Sequence, residues 1–288
     1  MIKQFLIFLL TTTLLYSTQV ELEVLGSGGP ELDGRASTSY LIRIDNKARL
    51  IVDMGSGSML NFEQSGAKIE DLEAVVLTHL HIDHSVDLPS FVKAGFFSYR
   101  TSSLDIIAPD GNDFFPSTSE FLERLFGKNG AYKYMNDILT PQSDSFEIIA
   151  IDIKTQSIRE YKDFTLTLLP VHHGVIPAIA VRIDIGDKSI IISGDTNDAD
   201  GTLSKLAKDT DLFVAHHAVP QGASGYATQL HMRPSTIAQI ANAADVKEVL
   251  LTHRMRRTIG LEEQTKELIK DIYKGRVVFA EDRMKIEL

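Results

Sequence analysis

Apolar and polar positions alternate with a period of two over residues 20–25, the pattern of a strand with one buried face. The run stops at Gly26-Ser27-Gly28-Gly29-Pro30. Residues 40–44 and 49–53 repeat the strand pattern around Asp45-Asn46-Lys47, which predicts a hairpin. A short apolar run at 75–77 reads as a buried strand, and residues 104–108, 146–153, 164–171, 178–185, 188–193, 212–215 and 249–251 are strand-like as well. Between them, 87–99 predicts a helix with Phe91, Val92, Ala94 and Phe96 on its apolar side. Residues 118–126 predict a second helix, with Phe121, Leu122 and Leu125 inward and Gly127 near its end. An Ala-rich helix is predicted over 237–244. Tyr132, Tyr134 and Met135 read either as core or as the wall of a substrate pocket. No internal repeat or low-complexity tract is visible.

The chemistry gathers where the strand at 75–77 ends. The chain continues Thr78-His79-Leu80-His81-Ile82-Asp83-His84, four candidate metal ligands in six positions. Residues two apart on an extended segment face the same way, so His79 and His81 can converge on one ion. Asp83 and His84 follow, where a turn can aim them at a second ion. Imidazole with carboxylate suits zinc, and also manganese or iron. The plain alternative is a strand end that carries surface histidines. All nine histidines, however, fall in five places: 79/81/84, 172/173, 216/217, 231 and 253. Each place lies at the end of a strand or in the loop after one.

The stretch 75–84 resembles the signature of the metallo-β-lactamase superfamily, and the likeness extends over nearly all of the chain after residue 20. The resemblance implies an α/β fold, a four-layer αβ/βα sandwich, with the metals at strand ends. It implies His79, His81 and His173 at one metal, Asp83, His84 and His253 at the other, and Asp195 of Gly194-Asp195-Thr196 between them. In this setting each Asp195 oxygen could bind one cation. The resemblance favours His173 over His172 because the ligand stands before Gly174. It gives Asp53 a supporting hydrogen bond to a ligand histidine, where the residues alone also allow an ordinary turn at Asp53-Met54-Gly55. His231-Met232-Arg233-Pro234-Ser235-Thr236 resembles the ribonuclease Z-like and arylsulfatase-like branch, in which such a histidine lies near the leaving group. His231 is thus a candidate general acid, or else a neighbour of a helix cap. That branch has His-Glu-Ala where this chain has His216-His217-Ala218, so the Glu that would orient His231 is replaced. The tRNA-binding arm of ribonuclease Z should stand between His173 and Asp195. Only residues 174–194 lie there, so the arm is absent.

Composition narrows the picture. There is no cysteine, hence no disulfide and no zinc-thiolate site. The formal net charge of −10 disfavours a polyanionic partner unless a local basic patch overcomes it. Arg254, Arg256 and Arg257 could be such a patch, binding phosphate, sulfate or carboxylate, or could be salt-bridged surface. The length of 288 residues allows one large domain, here 20–288.

The expectation is a hydrolase with two divalent cations, zinc first, that uses a metal-bridging hydroxide on a small ester: a phosphodiester, a sulfate ester, or a carboxylic ester or lactone. Asp83 and His231 are its catalytic candidates beside the metal ligands. Nucleic acid is not expected as a partner, and a homodimer stays open. The competing functions are ribonuclease Z-type 3′-tRNA cleavage and a non-catalytic metal-sensing domain.

Residues 1–18, with Lys3 ahead of an apolar stretch at 5–15, read as a signal peptide too short to span a bilayer. The alternative is an uncleaved anchor or a cytosolic N-terminal strand. Export to the periplasm or medium predicts a mature chain that begins near residue 18–20. N-terminal sequencing of the native protein checks this, and an intact Met1 form in a soluble cytoplasmic fraction would refute it.

Overall fold

The computed structural model describes residues 18–288. The expected signal peptide therefore lies outside the described residues, except for its last position. No described helix is long and apolar enough to cross a membrane.

The chain builds two seven-stranded sheets with the same grammar. The first holds β1 (Val20–Gly26), β2 (Ser39–Ile44), β3 (Lys47–Val52), β4 (Ala74–Val76), β5 (Leu104–Pro109) and β6 (Ile148–Ile153). The second holds β7 (Ser157–Glu160), β8 (Thr165–Val171), β9 (Ala178–Ile185), β10 (Lys188–Ile192), β11 (Leu212–His216), β12 (Glu248–Thr252) and β13 (Arg276–Phe279). A last strand, β14 (Lys285–Glu287), returns to the first sheet beside β1. From β14 to β6 the pairings run three antiparallel, then three parallel. From β7 to β13 they run in that order again. The internal duplication that the residues conceal is thus plain in the hydrogen-bond pattern.

The helices are α1 (Ser58–Gln64), α2 (Ile82–Ser85), α3 (Leu88–Gly95), α4 (Thr118–Phe126), α5 (Leu203–Leu206), α6 (Ala227–Leu230), α7 (Pro234–Ala243) and α8 (Glu262–Ile272). Leu22, Tyr40, Leu50 and Val76 meet Leu166, Val181, Ile190 and Val214 between the sheets. The opposite face of the first sheet packs on α1, α3 and α4 through Leu77, Phe62, Phe91, Leu122 and Phe126. The outer face of the second packs on α5, α7 and α8 through Phe213, Leu203, Ile237 and Ile269. The four layers are the αβ/βα sandwich that the resemblance implied. Each central strand is covered on both faces, which is why strands such as β4 and β12 read as unbroken apolar runs.

Several boundaries differ from the pattern reading. The helix expected over 87–99 ends at Gly95, where the backbone lies against the Phe146 ring. The expected strand at 75–77 lies one residue earlier, so His79 and His81 stand in the loop beyond it rather than on an extended strand. The stretch 132–135 divides: Met135 is buried, whereas Tyr134 is 67% exposed. The region between His173 and Asp195 is the β9–β10 hairpin, both strands lying within the sheet.

A Cβ added at Gly95 would stand 2.4 Å from Phe146 Cε1. Overpacking of this kind typically costs about 1–3 kcal/mol, so Gly95→Ala should lose that much stability in urea unfolding. A variant as stable as the parent would show that the α3 packing is looser than described.

Candidate metal centre

The loops after β4, β8, β10, β11 and β12 open at one edge of the sandwich, beyond the carboxyl ends of the parallel strands. Such ends are where α/β sheets collect their ligands. The first loop delivers His79, His81, Asp83 and His84, the last two on the single-turn helix α2. His173 comes from the loop after β8, Asp195 from that after β10, and His253 directly follows β12.

The sequence-predicted ligands meet here. His79 Nε2 is 2.9 Å from His81 Nδ1. Donor atoms of His79, His81, His173 and Asp195 all lie within 4.8 Å of one another, and so do those of His84, Asp195, His216 and His253. Asp83 Oδ2 joins the second set, 3.3 Å from His253 Nε2 and 3.6 Å from His84 Nε2. His173 is buried and in the cluster, while its neighbour His172 is exposed at the surface.

Asp195 departs from the expected arrangement. Its two oxygens do not both face the cluster. Oδ1 accepts a 2.8 Å hydrogen bond from His216 Nδ1. Oδ2 alone faces the cluster, 3.5–3.8 Å from the ring nitrogens of His79, His84, His173, His231 and His253. Gly194 makes this placement possible: its φ is +59°, and a Cβ there would stand 2.7 Å from the Ile179 carbonyl oxygen.

Hydrogen bonds behind the rings decide which nitrogens face inward. Asp53 is fully buried, accepting from the Thr78 amide at 2.6 Å and the Thr78 hydroxyl at 2.9 Å. His84 Nδ1 donates to Asp53 at 2.8 Å, which turns Nε2 toward the cluster. His173 Nδ1 donates to the Leu230 carbonyl at 2.9 Å, with the same effect. His253 holds a left-handed φ of 51° and Asp53 one of 64°. Each such conformation costs roughly 1–2 kcal/mol for a residue with a side chain. The glycine-rich loop lies against this group: a Cβ at Gly29 would stand 3.0 Å from His253 Cε1. Asp282 clamps that loop through the Ser27 and Ala36 amides.

Burial depresses the basicity of His79 and His173. It acts the same way on His84 and His253, but there the nearby carboxylates outweigh it and both rings are pushed up. Burial opposes the ionised form of Asp83 and Asp195 too, yet the surrounding histidines hold both below the usual carboxylate range. Burial brings His231 down to about 3.

His84 Nε2, His173 Nε2, His231 Nδ1 and His253 Nε2 are buried and have no hydrogen-bond partner. Buried polar atoms are rarely left so. A divalent cation would satisfy those of His84, His173 and His253, and the nitrogen and carboxylate donors fit one; His231 lies outside both donor groups. Of the three arginines only Arg254 fits the salt-bridged alternative; Arg256 is exposed, its amide donating to Glu31 and its guanidinium to the Leu32 carbonyl. Arg254 is buried and ion-paired with Glu262 and Glu281, and Arg35 pairs with Asp33. Arg257 differs: it is exposed, its Nε donates to the Ala218 carbonyl, and its charge reaches His231. The sequence reading left His216, Tyr40 and Thr252 without a role. A polar residue inside an apolar strand, as at Tyr40, was the available signal.

The family model described as the Metallo-beta-lactamase superfamily matches residues 32–224. Ribonuclease Z of Mycobacterium tuberculosis is 30% identical over 287 residues, covering 93% of this chain and 98% of that protein. Among solved structures, the metallo-beta-lactamase fold protein YhfI from Bacillus subtilis superposes with a TM-score of 0.75 at 23% identity, covering 94% of this chain and all of that one. The short form of human tRNase Z gives 0.70 at 20% identity, covering 92% and 98%. At these identities the two structures speak for the fold alone.

Asp53→Asn keeps the volume but removes the charge behind His84. Loss of such a partner typically weakens metal binding about 10–100-fold. Competition with a chromophoric chelator measures it, and an unchanged zinc affinity would remove Asp53 from the metal site's support.

Proposed function

The chain belongs to the metallo-β-lactamase superfamily, and from that premise we propose that it is a hydrolase that holds two divalent cations and cleaves a small phosphodiester. The observation that carries this reading is Asp195 Oδ2, one anionic oxygen set among five ring nitrogens, of which those of His79 and His173 fall in one donor group, those of His84 and His253 in the other, and that of His231 in neither. His79, His81 and His173 would hold one cation, and Asp83, His84 and His253 the other, with Asp195 shared. Zinc suits these donors best, with manganese and iron as the other candidates. When bound, the cations supply activation of water at neutral pH and neutralisation of charge on the ester oxygens.

The chain's own residues do the rest. Asp83, held ionised by its histidine neighbours, accepts a hydrogen bond from the attacking water and keeps it in line. Arg257 offers an exposed guanidinium for the non-bridging oxygens of an anionic substrate. His231 hands a proton to the leaving oxygen. Burial keeps its ring neutral in the free protein, so this role needs the negative charge of bound substrate to raise its proton affinity.

A second reading is cleavage of RNA, favoured by the name Ribonuclease Z that the relatives carry. Those relatives match over nearly their whole length, so the short β9–β10 hairpin and the acidic balance do not by themselves dispose of it. Export remains part of the proposal and rests on Lys3 and the apolar stretch after it.

One substrate panel tests both readings. With zinc or manganese present, the protein should turn over nitrophenyl phosphodiesters in preference to aryl sulfates, aryl acetates and lactones. Metal-loaded protein that turns over only carboxylic esters, or nothing, would overturn the proposal. Specific 3′-end cleavage of precursor tRNA at physiological salt would establish the RNA reading in its place. On an alkyl phosphodiester, His231→Ala should lose about 10²–10⁴-fold in rate, the usual span of general acid catalysis. On a nitrophenyl ester, whose leaving group hardly needs a proton, the loss should be far smaller. Equal losses on both would assign His231 to positioning.

A further inference from the structure

Oδ1 of Asp195 is withdrawn from the metal centre by a chain of buried groups that no ligand assignment uses. His216 ends β11 and is 1% exposed. Its Nδ1 lies 2.8 Å from Asp195 Oδ1 and its Nε2 lies 3.1 Å from the Tyr40 hydroxyl. That hydroxyl also reaches Thr252 Oγ1 at 3.1 Å. Tyr40 belongs to the first sheet, His216 and Thr252 to the second, so the chain crosses the interior of the sandwich. The His216 amide donates to Ser193 Oγ at 3.1 Å, two residues before Asp195. The His216 ring stacks on His253, centroids 5.0 Å apart and planes 26° from parallel.

His216 is close enough to His84, Asp195 and His253 to count as a ligand itself. Its hydrogen bonds say otherwise. A carboxylate oxygen only accepts, so Nδ1 must carry the proton and has no lone pair to give. Nε2 is occupied by Tyr40, on the side away from the carboxylate. Neither nitrogen is among the buried atoms left without a partner, whereas His84 Nε2 and His253 Nε2 are.

We propose that His216 is a positioning residue that removes Oδ1 of Asp195 from the metal centre and so makes Oδ2 the single oxygen shared by both cations. The inference rests on the two-cation reading above. A carboxylate with both oxygens free can chelate one cation and release the other; one with a tethered oxygen presents only a shared atom. The tether therefore acts on the second cation more than on the first.

Two near-isosteric variants separate this from general packing. The amide nitrogen of Asn occupies the place of Nδ1, so His216→Asn keeps the donor to Asp195. The Gln amide reaches the place of Nε2, so His216→Gln fills the space but drops that donor. Zinc titration against a chromophoric chelator should give two equivalents for the parent. His216→Gln should bind the weaker cation about 10–100-fold less tightly, the usual effect of losing a hydrogen bond behind a ligand. The tighter cation should change little, and His216→Asn should stay near the parent on both. Parent-like binding by His216→Gln overturns the inference, and so do equal losses in the two variants, which would mark a merely structural role. A parent that takes up no more than one equivalent fails the two-cation reading instead, and the inference with it.

Discussion

Buried ring nitrogens without hydrogen-bond partners set the terms of this molecule. Five ring nitrogens stand within 3.8 Å of one carboxylate oxygen, and four of the five are buried without a hydrogen-bond partner. Withdrawing such atoms from water is unfavourable by roughly 1–3 kcal/mol each when nothing replaces the lost bonds. The histidines and carboxylates partly offset one another, as the upward push on His84 and His253 shows. That compensation is incomplete, because His79, His173 and His231 are left neutral by burial. A cation held among these groups would complete the balance.

The fold keeps these atoms from relaxing away from each other. Each candidate ligand sits within a few residues of a strand, and β4, β10 and β12 are buried on both faces; the outward-facing nitrogen of His84 and of His173 is tied to Asp53 and to the Leu230 carbonyl. The repeated pairing order of the sheets brings equivalent loops from both halves to the same edge. One half supplies the dense His79–His84 segment, the other its single ligands at 173, 195 and 253. The left-handed backbone at Asp53, Gly194 and His253 falls within this edge, where strain is held because the surrounding strands over-determine it.

Most of the cluster was legible because its candidate ligands are chemically conspicuous and follow apolar runs. Thr78-His79-Leu80-His81-Ile82-Asp83-His84 declares itself in one line of sequence. Spacing carries no information about which oxygen of Asp195 turns inward, since that depends on His216, 21 residues further on and in another strand. The role of Arg254 was equally out of reach: its partners Glu262 and Glu281 lie 8 and 27 residues beyond it. The elements missed by pattern were mostly short or polar ones: α1, α2, α5, α6, α8, β7, β13 and β14. Helix α8, for example, buries only Thr265 and Ile269, too little of a stripe to mark it among glutamates and lysines. The duplication escaped notice because it lives in pairing order and not in residue identity.

The final strand has a bearing on how the molecule is assembled. β14 pairs with β1, placing Glu287 opposite Glu21, and Asp282 just before it fastens the amides of Ser27 and Ala36. These partners are separated by some of the longest stretches of chain in the protein, 255 residues in the case of Ser27 and Asp282. Contacts of such range form late, because the intervening chain must first be ordered. During synthesis the amino-terminal half emerges with the edge of its sheet uncovered and its glycine-rich loop untied. The loop that backs His253 is secured only once Asp282 and β14 have reached it and β1, so the centre depends on a distant segment that contributes no candidate ligand to it.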